Sequence, residues 1–171
     1  DIFSGGRFAL GVGAGWMKDE YDVYDVPFGG RGARMDEMID VMHKLWQGGM
    51  VDHEGPLFPF PRLCIEPAPG HNVPLYVGGA NEAALRRAAV RGDGWIGAGN
   101  HPDEVPALMA RLRALREAAG RAADPFETIV GLTTPLDVAT LQRLEETGMT
   151  SAVNLPFSFA LGKYSTLDAK K

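Results

Sequence analysis

The chain has 171 residues, a net charge of -5 and one cysteine, Cys64. That length suffices for one domain with a buried core, and the acidic balance argues against a nucleic-acid partner held by general electrostatics. A single cysteine excludes an intrachain disulfide and any cysteine-based metal site, and no apolar run is long enough to span a membrane.

Strand-like and helix-like periods alternate along the chain. Phe8–Val12 (FALGV) reads as a short strand, followed by Gly13-Ala14-Gly15-Trp16 and a loop. Across Arg31–Gln47, Met35, Met38, Ile39, Met42, Leu45 and Trp46 recur at helical spacing, and Gly48-Gly49 stops the helix. A methionine stripe of this kind is core packing. Arg31, Arg34 and Glu37 form a charged pattern near the helix start and are expected to pair with a neighbouring element. Residues 50–72 break the rhythm. Val51–His53 and Leu57–Phe60 suggest a hairpin turning at Gly55-Pro56. Pro61, Pro67 and Pro69 make the rest an irregular excursion, with Cys64 in it as a plain buried thiol.

The segment PLYVGGANEAALRRAAVRGDGW (Pro74–Trp95) carries the most information. Leu75–Val77 is a strand that runs into Gly78-Gly79, and a helix starts at once. The first N–H groups of a helix have no internal partner, and its dipole places partial positive charge there. Glycine lets a phosphate approach the main chain, and Asn81 is positioned to cap. The segment therefore reads either as a phosphate seat or as an ordinary tight strand–helix turn. Ala84, Leu85, Ala88 and Ala89 give the helix a small inner face, and Gly92 ends it.

Trp95–Gly97 is the next strand. Pro102, Asp103 and Glu104 open a helix marked by Val105, Leu108, Met109, Leu112 and Leu115 and ended by Gly120. Arg111, Arg113, Arg116 and Arg121 read as its solvated face. Thr128–Leu132 is a strand. Thr134-Pro135-Leu136-Asp137 resembles a capping box before a helix carrying Val138, Leu141 and Leu144, stopped at Gly148. Ser151–Leu155 is the last strand, and 158–171 is a short tail. Five strands alternating with helices imply an α/β fold with parallel pairing, either a (β/α) barrel or an open doubly wound sheet. The length falls short of the roughly 250 residues of a full eight-fold barrel and fits an open sheet better. The histidines (His43, His53, His71, His101) show no helical metal-ligand spacing, so no metal site is expected.

Three motifs in order, SGGRFALGVGAGWMKDEY (Ser4–Tyr21), PFGGRGARMDEMIDVMHKLW (Pro27–Trp46) and Pro74–Trp95, resemble the luciferase-like monooxygenase superfamily, most closely its coenzyme F420-dependent branch. The resemblance implies a partial (β/α)8 TIM barrel of the bacterial-luciferase-like type, about five βα units in one domain over 1–171, with the excursion at 50–72. Phe8–Val12 would match the family's fourth strand and the later strands its fifth to eighth, so the first three strands have no counterpart. Since the chain begins with Asp1, it is expected to be part of a longer protein.

The resemblance further implies that Gly78, Gly79, Ala80 and Asn81 cradle the phosphate of F420, with FMN as the alternative cofactor. Gly15 and Trp16 would line the substrate side of the ring, and Gly97 would border the ligand. Some deazaflavin enzymes carry an acid where this chain has Trp16, which donates no proton at neutral pH. Glu20 is then the candidate catalytic carboxylate, against a plain loop or helix-start role. Arg86 and Arg87 are expected at the surface, Asp93 in a structural bond, and His101 at the start of a helix. The implied activity is hydride transfer between F420 and an organic substrate. FMN-dependent oxygenation and a non-catalytic, dimer-forming remnant are the alternatives. A homodimer in the cytoplasm, acting on a small molecule, completes the expectation.

Overall fold

The computed structural model describes residues 1–135 and 137–153. The chain divides into two compact units, Asp1–Leu75 and Tyr76–Lys171.

In the first unit, β1 (Leu10–Val12) is tied by the Leu10 N–H to the Pro74 carbonyl at 2.8 Å. A short helix α1 (Lys18–Val23) follows where the sequence suggested a loop. It buries no residue, so it leaves no apolar period to read, and an exposed Lys18–Asp22 pair one turn apart supports it. Helix α2 (Arg31–Trp46) lies as expected, with Met35 and Ile39 buried. Met38 stands at the edge of the stripe and is exposed.

The hairpin pairs β2 (Val51–His53) with β3 (Phe60–Leu63), not with Leu57–Phe60. The reason is Glu37. Its carboxylate accepts the N–H groups of Leu57 at 2.9 Å and Phe58 at 2.7 Å, which removes both from any ladder, and Pro59 has no N–H to offer. His53 Nε2 lies 3.3 Å from the same carboxylate. Burial pushes Glu37 up, but the bonds from Phe58, Leu57 and His53 outweigh it and hold the carboxyl below its ordinary value. A Cβ at Gly55 would run into Glu37 and His53, so the turn needs glycine there. Cys64 is exposed, not buried. It directly follows Leu63, the half-buried end of β3, and the alternation of a strand sends it to the other side.

The second unit is built on β4 (Leu75–Gly78), β5 (Gly94–Asn100), β6 (Glu127–Leu132) and β7 (Ser151–Val153), parallel and adjacent in chain order. Helices α3 (Glu82–Arg91), α4 (Val105–Ala118) and α5 (Val138–Glu145) connect them. Val77, Trp95, Val130 and Leu132 are fully buried in the strands, and Ala88, Ala89, Val105 and Leu144 in the helices. Alanines on α3 let its backbone lie close to the sheet, as the sequence suggested. A Cβ at Gly94 would come 2.7 Å from the Glu127 carbonyl oxygen and from the Tyr76 ring, so close strand approach demands glycine. The Tyr76 hydroxyl donates to Glu127 at 2.7 Å, and burial together with that carboxylate pushes Tyr76 up to about 12.

Three local expectations are corrected. Helix α4 begins at Val105 with Pro106 in its first turn, because Pro102 lies in a preceding turn that the Glu104 N–H closes on the His101 carbonyl at 2.9 Å. Helix α5 is capped by Asp137, which accepts the Thr140 N–H at 2.8 Å; Thr134 plays no such part, as Thr133 beside it is still bonded to the Asn100 carbonyl. Arg116 is not on a solvated face. It is 6% exposed, lies over the Phe126 ring and donates to the carbonyls of Arg121 and Asp124 at 2.7 and 2.6 Å. Arg121 lies beyond the end of α4 and donates to the carbonyls of Ala89 and Gly92 at the end of α3, while pairing with Asp93 and Asp124. The last expected strand is described as far as Val153; the rest of it, the tail and Leu136 lie outside the described residues. Among the described residues no helix is long and apolar enough to cross a membrane.

Candidate cofactor-binding site

The turn between β4 and α3 is the place where the sequence suggests an anion seat. Asn81 caps α3: its side chain accepts the Ala84 N–H at 2.9 Å and its carbonyl accepts that of Leu85 at 3.0 Å. That leaves the N–H groups of Glu82 and Ala83 at the open end of the helix. Gly79 has φ of +117°, and a Cβ there would come 2.9 Å from that of Ala84, so only glycine allows the turn. The Gly79 N–H itself is taken, since it donates to the Ile96 carbonyl at 3.2 Å. It is therefore not part of the cradle that the sequence suggested.

The Gly79 carbonyl accepts the indole N–H of Trp95 at 2.7 Å. In a trans peptide the C=O and the following N–H point in opposite directions. Holding the carbonyl toward the buried indole therefore turns the Ala80 N–H outward, where it finds no acceptor among the described residues. Sequence reading missed this tie. The GDGW run at the start of β5 was its only signal.

Beside the turn lies an open cavity of about 440 Å³, bordered by Ala80, Leu85, Asn100, Glu104, Leu108 and Arg111. Asn100 is 5% exposed and its Oδ1 has no hydrogen-bond partner among the described residues. Glu82, at the first position of α3, would repel an anion. Arg111 of α4 offsets this by donating to it through Nε at 3.0 Å and through Nη2. That hydrogen bond holds the Glu82 carboxyl below its ordinary value. The glycine-only turn, the outward N–H groups and a carboxylate paired with a guanidinium fit a phosphate group.

The remaining candidates fall differently. Gly97 is buried, and a Cβ there would meet the Trp95 ring and Asn100 Oδ1, so its glycine is explained by packing. Gly15 and Trp16 belong to the first unit, in the turn after β1. Gly15 has φ of +74° and lies against Tyr21, whose hydroxyl donates to the Ala14 carbonyl. Arg31 also donates to the Gly15 carbonyl, at 3.2 Å. Trp16 is 81% exposed. Glu20 is exposed in the first turn of α1, where a carboxylate favours the helix dipole. Arg86 is exposed, and Asp93 pairs with Arg121. His101 accepts the Asp103 N–H in the turn before α4. Among the described residues no group of three or more His, Cys, Asp or Glu is placed to hold a metal ion.

The family model for luciferase-like monooxygenases matches residues 1–148, and the chain belongs to that family. It is 40% identical over 149 residues to an uncharacterized protein of Mycobacterium tuberculosis, which covers 87% of this chain and 51% of that one. It is 31% identical over 159 residues to the F420-dependent glucose-6-phosphate dehydrogenase of Nakamurella multipartita, covering 88% and 45%. The chain thus spans about half the length of the curated relatives it matches. In fold it is similar to the coenzyme F420-dependent tetrahydromethanopterin reductase of Methanopyrus kandleri, with a TM-score of 0.74 over 90% of this chain and 70% of that one, at 16% identity. The α/β architecture with parallel strands is that of the family's TIM-barrel members.

Proposed function

We propose that this chain is part of an F420-dependent oxidoreductase and that Ala80, Asn81 and the first turn of α3, shaped by Gly78 and Gly79, hold the coenzyme's phosphate. The observation that carries the reading is the outward Ala80 N–H beside a capped helix end, at a turn that only glycine can make. The F420-dependent relative aligned over 88% of the chain supports the deazaflavin over FMN. Coenzyme F420, when bound, supplies hydride transfer at its ring. The chain's own contribution is backbone donors for the phosphate and a Glu82 beside it whose charge is paired with Arg111. The substrate is a small organic molecule, and a homodimer goes with the reading.

Titration with F420 and, separately, FMN tests it by fluorescence quenching. Preferential binding of F420 is the expected result. Preference for FMN would move the protein to the monooxygenase branch, and binding of neither would leave a non-catalytic member of the family.

A further inference from the structure

We infer that Trp95 is a positioning residue for phosphate: its buried indole sets the peptide plane that aims the Ala80 N–H at the ligand. The inference rests on the phosphate reading of the turn. Trp95 is fully buried and its ring fills the space above Gly97, so the indole cannot swing away without displacing that strand. Its N–H donates to Gly79 at 2.7 Å, across sixteen residues of chain. Gly79 is the one residue of the turn at positive φ, and without a Cβ its torsions are the least restricted, so without an external tie the peptide plane that follows it is the least determined in the turn. The indole supplies that tie. A second observation marks this place for a polar ligand. Ala80 borders the same cavity as Asn100, a 95%-buried side chain (5% exposed) whose Oδ1 lacks a partner among the described residues. Burying an unpaired acceptor is costly, and a ligand or a water that it brings supplies the missing donor.

Trp95→Phe keeps a ring in the core and deletes only the donor. The readout is the ratio of affinities for F420 and for its phosphate-free deazaflavin chromophore, by fluorescence quenching on the full chain. A purely structural role would weaken both ligands alike and leave the ratio unchanged. We expect the wild-type preference for F420 to fall about tenfold, the scale of one misaligned hydrogen bond to a charged group. An unchanged ratio in a folded variant overturns the inference and leaves the phosphate reading standing. A wild-type chain with no preference for F420 overturns both. Should Trp95→Phe fail to fold, the Ala80 amide resonance of the wild type decides: it must shift on adding F420 and stay in place with the phosphate-free chromophore. No selective shift overturns the inference.

Discussion

The two units hold themselves together by different means. The second repeats one device: a buried strand, a helix with a small apolar face, and a glycine or polar cap at each junction. Its core residues Val77, Trp95, Val130, Leu132 and Leu144 are all fully buried. The first buries few large side chains and leaves Phe3, Phe8, Trp16, Tyr24 and Met38 exposed. Its specific links run instead from charged side chains to main-chain groups, as from Glu37 to Leu57 and Phe58 and from Arg31 and Arg34 to loop carbonyls. Burial is non-directional and tolerant, whereas a carboxylate gathering N–H groups fixes one geometry. The second unit therefore rests on buried area, and the first on a few directional bonds that set the course of its loops.

The largest expected effect comes from the core of the second unit. Leu144→Ala should cost about 2–5 kcal/mol of stability by denaturant unfolding, while Met38→Ala on the first unit should stay within about 0.5 kcal/mol. Equal losses would break the contrast. Next, Gly97→Ala forces a methyl group into the Trp95 ring and should destabilise by about 1–3 kcal/mol, read as a lower melting temperature. Asn81→Ala removes the α3 cap and should cost about 1 kcal/mol, with faster amide exchange at Ala84. The smallest effect is local and depends on pH. Glu37 titrates below its ordinary 4.5 in the folded state, so its contribution is present above that value and is lost as pH falls through the lower, folded one. Amide protection at Leu57 and Phe58 should disappear in that acid range, while that of Val130 persists. Simultaneous loss would show that the hairpin tip is not held by Glu37.

What could be read in the sequence follows the same division. Strands β4 to β6 and the helices between them were legible because burial leaves a period and glycine marks each stop. Asn81 was legible as a cap because the chemistry of a cap is local. The register of the hairpin was not, since nothing near Leu57 announces that a carboxylate twenty residues earlier claims its N–H. Helix α1 was missed for want of a buried face. At the candidate site the glycine pair was visible, but the bond that spends the Gly79 N–H on Ile96 and the one that turns Ala80 outward both depend on strand register. Only the fold brings those partners together.

The Arg121 guanidinium closes the last turn of α3, and its carbonyl partners, Ala89 and Gly92, are main-chain atoms. A side chain that recognises backbone reads the path of the chain and is indifferent to its spelling. The grip lies at the C-terminal end of α3, whereas the glycine turn opens at its N-terminus. The two ends of α3 are thus held by separate means, Asn81 at the first turn and Arg121 at the last. One guanidinium ties the close of α3 to the loop after α4 through atoms that every sequence shares.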